Sequence, residues 1–239
     1  IEPAKALAQQ TNIQTSLFDS VASAPIESSS QASSFNLANK KYTLITSNNE
    51  IKALATQLEQ QSSVAFDTET TGLDPLAGEM VGISFSYKED EAYYISLPPL
   101  KQEAKKLLQP LKPFFEDEAI EKVGQNLKFD LLILRQYDIE VKGPLFDTMI
   151  AHYLINPETS HSMDYLAATY LNYQTVPIEE LIGPRGKKQG SMRDVDVNIV
   201  SNYACEDADI TWQLKQIFEK EMKKNGLEKL FYEIECPLI

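Results

Sequence analysis

Three consecutive blocks, SSVAFDTET (62–70), EMVGISFSY (79–87) and EAYYISL (91–97), decide the reading of this chain. Each is rich in β-branched and aromatic residues, and each is bounded by turn-forming sequence: GLDPLAG (72–78) between the first two and KEDE (88–91) before the third. Short apolar runs punctuated in this way predict three antiparallel strands in succession. Upstream, KYTLIT (41–46) reads as a further strand. NNEIKALATQLEQQ (48–61) reads as a helix with Ile51, Leu54 and Leu58 on one face.

Downstream the pattern alternates. EAKKLLQPLKPFF (103–115) is helical with Pro interruptions, EKVGQ (121–125) is a short buried strand, and NLKFDLLILRQY (126–137) is an amphipathic helix. FDTMIAHYLI (146–155) and SMDYLAATYL (162–171) read as two more helices. Residues 178–195 are Gly-rich and basic at the centre and read as a mobile loop, and a long helix runs from Val197 to Lys224, ended by Asn225-Gly226. A strand trio followed by alternating helices and strands predicts an α/β fold with a mixed sheet.

Composition bounds the function. The chain has 239 residues with 22 Lys+Arg against 35 Asp+Glu, a formal charge of −13, which argues against nucleic-acid binding by bulk basic attraction. At 43% hydrophobic and 24% charged it is an ordinary globular composition. No apolar run reaches the roughly 20 residues a bilayer span needs, and IEPAKALAQQ (1–10) lacks signal-peptide character. No membrane partner and a cytoplasmic location are therefore expected. Cys205 and Cys236 are too few for a disulfide framework and lack metal-ligand spacing, so both read as reduced thiols. Residues 1–36 are rich in Ser, Ala and Gln and read as a flexible linker, and a chain opening there on Ile1 is expected to be a piece of a longer one.

Three carboxylate clusters carry the chemistry. In VAFDTET, Asp67 and Glu69 are spaced i, i+2, so the pleat aims both at one face of the strand. Two carboxylates about 4 Å apart repel by about 4 kcal/mol at an effective dielectric of 20, a cost tolerated mainly where a cation or shared proton offsets it. Taken alone, such a pair is more commonly an exposed edge than a metal site. Asn126 and Asp130 are four apart on one helical face, with Leu127, Leu131 and Leu134 on the apolar one. In SNYACEDADIT (201–211), Tyr203 and Asp207 again share a face, whereas Glu206 and Asp209 point elsewhere on the helical wheel and read as solvated.

In this order, with Asp130 following Asp67 by 63 residues and Asp207 a further 77 on, the clusters resemble the DEDD superfamily of 3′-5′ exonucleases, in its Tyr variant. FDTET, VGISFSY, KVGQNLKFD, FDTM, MDYLA and YACEDADIT are together similar to the proofreading exonuclease domains of bacterial family A DNA polymerases, and YEIECPLI resembles the start of a polymerase domain. The resemblance covers residues 41–239. It implies a ribonuclease H-like fold, with a linker over 1–36, an exonuclease domain over 37–226 and the start of a polymerase domain over 227–239.

It further implies two divalent metal ions, Mg2+ or Mn2+, on Asp67, Glu69, Asp130 and Asp207. By the resemblance, Asp67 would bridge both ions, Glu69 and Asp207 would complete the shell of the first ion, and Asp130 would hold the second through water. Tyr203 orients the attacking water; a phenol with a pKa near 10 is a poor general base at neutral pH. The implied partner is a single-stranded DNA 3′ end, from which nucleoside 5′-monophosphates are released, with a covalently attached polymerase domain in a bacterial, nucleoid-associated protein. Leu73, Gln125, Asn126 and Phe129 are the implied substrate contacts. Ile178 and Ser160 occupy positions where relatives carry an aromatic residue and an Arg, and Arg185, Lys187 and Lys188 could supply phosphate charge instead. QTSLFD (14–19), with Gln14, Leu17 and Phe18, resembles peptides that dock on sliding clamps. Asp147 reads either as support for the site or as a helix cap. His152 and His161 read as structural or surface residues. A ribonuclease D-like exoribonuclease and a non-catalytic spacer domain are the competing readings.

Overall fold

A computed structural model describes residues 39–186 and 188–239. The linker, its peptide with Gln14, Leu17 and Phe18, and Lys187 lie outside the described residues. The strand trio forms as expected: β2 (Ser63–Thr70), β3 (Met80–Lys88) and β4 (Glu91–Ser96) pair antiparallel in sequence. β1 (Lys41–Ile45) adds parallel to β4, β5 (Glu121–Gly124) parallel to β2, and β6 (Leu145–Asp147) parallel to β5. The result is a six-stranded mixed sheet ordered β1-β4-β3-β2-β5-β6, in which β3 alone runs against the others.

Strand alternation sorts the side chains between two layers. Val64, Phe66, Ile83, Phe85 and Ile95 face a core built with α1 (Asn48–Leu58), α2 (Lys101–Leu108), α3 (Lys112–Glu116) and α4 (Leu127–Gln136). There Phe66 meets the edge of Phe115, centroids 5.2 Å apart. The opposite face carries Ala65, Gly82, Ser84, Ser86 and Ala92, small residues that admit a long helix close to the sheet. That helix is α8 (Val197–Asn225), whose own inner positions Ala204, Cys205 and Ala208 are small and fully buried. Asp196 caps its start and Gly226, at φ 68°, its end, where a left-handed residue costs glycine nothing.

Packed with α8 on that side of the sheet are α5 (Thr148–Ile155), α6 (Met163–Leu166) and α7 (Ile178–Ile182). Two expectations change here. The helix expected over 146–155 forms but starts at Thr148, because Leu145–Asp147 is strand β6, too short for its alternation to show in sequence. Residues 178–195, read as loop throughout, contain α7 and a 3-10 turn over Met192–Asp194. Residues 227–239 dock on the β5–β6 edge. Phe231 packs on Phe146 at 5.0 Å, and the Tyr232 hydroxyl donates to Glu121 Oε1 at 3.0 Å. Among the described residues, no helix is long and apolar enough to cross a membrane.

Lys122 on β5 is fully buried. Its amine donates to the carbonyls of Asp117 and Lys142, and burial brings its pKa down to about 8. A lysine depressed on folding holds fewer protons in the native than in the unfolded chain between about pH 8 and 10.5, so its contribution to stability rises with pH across that window. Urea titrations should show the wild type gaining on Lys122→Met as pH climbs through it; a flat difference would mean the amine titrates normally.

Candidate active site

The β2 strand delivers Asp67 and Glu69 to the α8 side of the sheet, as the pleat predicts, and a bulge between Glu69 and Thr70 then shifts its register against β3. From α8, Asp207 comes down on them. One oxygen from each of Asp67, Glu69 and Asp207 lies within 4.8 Å of the others. Glu69 is buried and its Oε1 has no hydrogen-bond partner.

Asp130 approaches from the other layer. It is buried on α4, and its Oδ1 accepts from the Thr68 amide at 3.1 Å and the Thr68 hydroxyl at 2.5 Å, which fixes it beside the residue between Asp67 and Glu69. The turn that starts α4 is held by Asp147. This carboxylate accepts from the amides of Asn126 and Leu127 at 3.2 and 2.8 Å and from those of Met149 and Ile150 at the start of α5. Both readings of Asp147 are therefore met at once: it caps α5 and anchors the helix that carries Asp130. Asn126 sits just ahead of α4 in the left-handed region, at φ 63°, rather than on its face.

Electrostatically the cluster is under load. Burial pushes Asp67 up to about 6. It pushes Glu69, Asp130 and Asp207 well above the usual carboxylate range, and the Asp67 charge adds to all three. Tyr203, one turn before Asp207 on α8, is raised by burial and then by Asp207, Glu69 and Asp67, so it remains a neutral phenol. Four carboxylates with hard oxygen donors, Glu69 and Asp130 buried and Asp67 and Asp207 half-buried, fit a divalent cation that would offset their charge.

A cleft of about 690 Å³ opens over these groups. Leu73, Gln125, Asn126 and Phe129 line it as expected, with Leu73 86% exposed at the rim. Ile178, Ile182, Gln189 and Met192 form the facing wall; apart from Ile178 they had no signal in the sequence beyond belonging to an apparent loop. Arg185 reaches the rim, its Nε donating to Glu179 at 2.9 Å. Lys188 is exposed and is not among the lining residues, and Ser160 hydrogen-bonds Ser162 instead of facing the cleft. Gln125 is fixed from behind: its amide donates to the His161 carbonyl at 2.8 Å while Thr148 donates to its oxygen. His152 is buried, its Nδ1 2.7 Å from that of His161, a structural contact in which one ring donates and the other accepts.

Glu206 and Asp209 correct the helical-wheel reading. Both are fully buried, because α8 is covered on its outer side as well. Glu206 accepts from the Tyr173 hydroxyl and the Val176 amide, and Asp209 from Lys40, Tyr42, Gln213 and the Asp90 amide.

The family described as 3′-5′ exonuclease matches residues 42–223. The chain belongs to this family. The DNA polymerase I of Borreliella burgdorferi is 37% identical to this exonuclease domain over 202 residues, covering 83% of this chain and 22% of the relative. The chain thus spans about a fifth of the length of that relative. Among solved structures, Brucella melitensis NrnC superposes with a TM-score of 0.62 at 20% identity, over 81% of this chain and 86% of that one. Escherichia coli RNase D superposes with a TM-score of 0.63 at 19% identity, over 78% and 46%. These two likenesses place the sheet and its flanking helices in the ribonuclease H-like fold.

Proposed function

We propose that this exonuclease domain hydrolyses single-stranded DNA from its 3′ end in a divalent-metal-dependent reaction, releasing nucleoside 5′-monophosphates as the proofreading part of a DNA polymerase I. The observation that carries the reading is the convergence of one oxygen each from Asp67, Glu69 and Asp207 within 4.8 Å, with Asp130 fixed beside them by Thr68. Asp67, Glu69 and Asp207 would hold one ion, and Asp67 and Asp130 the second. When bound, Mg2+ or Mn2+ supplies Lewis acidity for the attacking water and the departing 3′-oxygen.

The chain's own groups do the rest. Thr68 and Asp147 keep Asp130 in place from behind. Tyr203, neutral at working pH, orients the attacking water through its hydroxyl. Leu73 and Phe129 offer apolar surface to the terminal base, Gln125 and Asn126 offer amides to the sugar and phosphate, and Arg185 and Lys188 add positive charge near the mouth. Lys187 adds to that charge, the 14–19 peptide docks on a sliding clamp, and the domain, joined to a linker over 1–36 and to a polymerase from 227, works in a cytoplasmic, nucleoid-associated protein.

The test is a gel assay of 5′-labelled single-stranded DNA with a matched RNA in parallel, in Mg2+, Mn2+ or EDTA. The expected result is a ladder shortening from the 3′ end, metal-dependent and stronger on DNA. A ladder stronger on RNA would move the assignment to an exoribonuclease, and no ladder on either would leave a supporting domain.

A further inference from the structure

We propose that Tyr94 is a positioning residue for the Glu69 carboxylate, its phenol hydroxyl, unpaired in this structure, becoming the donor to one carboxylate oxygen when a cation takes the other. The inference rests on the reading of Glu69 as a metal ligand. It begins with the sheet register. Glu69 on β2 lies directly across from Gly82 on β3, and Ser84, two residues on, lies across from Tyr94 on β4. Directly paired residues point to the same face, so Glu69, Gly82 and Tyr94 all look toward α8.

Gly82 is then decisive. A Cβ built there would lie 2.0 Å from the Tyr94 hydroxyl oxygen and 2.3 Å from the ring carbon that bears it. The ring of Tyr94 leans diagonally across β3, and its hydroxyl occupies the place where a residue-82 side chain would stand. That place is the cross-strand neighbour of the Glu69 side chain. A glycine at this position is required by close approach, since any side chain would expel the phenol.

The polar groups around this point are incompletely matched. The Tyr94 hydroxyl is buried with no partner, Glu69 Oε1 is buried with no partner, and Arg193 Nε is a third such atom. Arg193 Nη1 and Nη2 donate to the carbonyls of Leu97 and Met80, which fixes the guanidinium over the same strand ends. The phenol and the carboxylate are not hydrogen-bonded to each other in this structure, but buried polar atoms are nearly always matched, so a small rotation of the Glu69 carboxylate toward its cross-strand neighbour would satisfy donor and acceptor together. Glu69 is also the charge that most raises the phenol's pKa, after burial itself, consistent with their closeness.

A phenol that stays protonated suits the task. Glu69 is pressed by Asp67 and Asp130, both of which repel it. A neutral donor behind it can fix one carboxylate oxygen and leave the other to a cation, without adding a charge that would compete with the ion. Groups that orient metal ligands in this way typically change metal affinity by 10- to 100-fold when removed.

The experiment is Tyr94→Phe in the full 239-residue chain, with Mn2+ alone as the probe. Thermal midpoints are followed across a Mn2+ titration, beside wild type, Glu69→Gln and the double variant. Expected is an unchanged or slightly higher midpoint without metal, because only an unmatched hydroxyl is lost, and a Mn2+ midpoint concentration raised about tenfold. In the Glu69→Gln background the second substitution should shift nothing further. Turnover of a single-stranded oligonucleotide should fall at low Mn2+ and recover at high Mn2+, with KM for the oligonucleotide unchanged. A Tyr94→Phe titration matching wild type overturns the proposal while leaving the metal reading intact, as does a lower metal-free midpoint with unaltered Mn2+ response. A wild type whose midpoint ignores Mn2+ overturns both.

Discussion

Asp67→Ala is expected to abolish cleavage and, at the same time, to make the metal-free domain more stable. Both halves follow from one position. Asp67 is the carboxylate whose charge raises Glu69, Asp130 and Asp207 alike, and burial brings its own pKa to about 6. A carboxylate raised on folding holds more protons in the native than in the unfolded chain, so its ionisation takes stability away as pH climbs from about 4 to about 6. At pH 8 that penalty is fully present in the wild type and missing in the variant. Relief of about 1–2 kcal/mol corresponds to a midpoint rise of roughly 3–6 °C in EDTA for a domain of this size. In millimolar Mg2+ the order should reverse, since only the wild type keeps a complete site and ligands that bind the native state stabilise it. Cleavage should fall about 1000-fold or more, the equivalent of about 4 kcal/mol in the barrier. Calorimetry with and without EDTA, with the gel assay alongside, reads all of this. A variant that is folded and still active would sink the assignment, and one that is less stable in EDTA would show that Asp67 is a structural residue.

The parts of this site that the sequence made visible are those fixed by short-range geometry. The pleat alone puts Asp67 and Glu69 on one face, and the helical turn alone puts Tyr203 above Asp207. Both relations depend on two to four residues and survive any tertiary arrangement. Asp130 looked like an ordinary first-turn surface acid, and only its resemblance to a family motif marked it; its burial comes from Thr68 on a different element. Glu206 and Asp209 failed for the same reason in reverse. A helical wheel assigns solvent to whatever is opposite the apolar stripe, but α8 has β1 and the 173–176 segment on its polar side, and these are supplied by chain 30 to 170 residues away. The far wall of the cleft was equally hidden, because a five-residue helix beside Gly183 and Gly186 leaves no periodicity to detect. The role suggested for Tyr94 needs a strand register as well as a missing Cβ, neither of which is present in a one-dimensional pattern.

Asp209→Ala is expected to be strongly destabilising, though it lies two residues from Asp207. Its side chain is fully buried and fully used. Oδ2 accepts from Lys40 at 2.7 Å and the Tyr42 hydroxyl at 2.9 Å, and Oδ1 from the Asp90 amide and Gln213 at 2.9 Å each. One carboxylate thus ties α8 to the edge strand β1 and to the β3–β4 turn, where Asp90 sits at φ 63°. Removing it strands a largely buried ammonium, a phenol and a turn amide together. Losing one partner of a buried pair costs about 3–5 kcal/mol, or roughly 10–15 °C in the midpoint. Asp209→Asn keeps the shape and part of the acceptor capacity and should fall between. The Lys40–Asp90 contact at 2.6 Å on the surface cannot compensate, being half solvated. Lys40→Met should be costly in the wild type and nearly neutral in the Asp209→Ala background, the sign of a shared interaction in a double-mutant cycle. Because residues 207 and 209 point to different sides of α8, turnover per folded molecule at low temperature should change less than tenfold. If turnover collapsed while the midpoint held, Asp209 would belong to the site and not to the scaffold. With the reverse outcome, the same turn of α8 aims one acid into the cleft and uses its neighbour to hold the helix at the rotation that keeps it there.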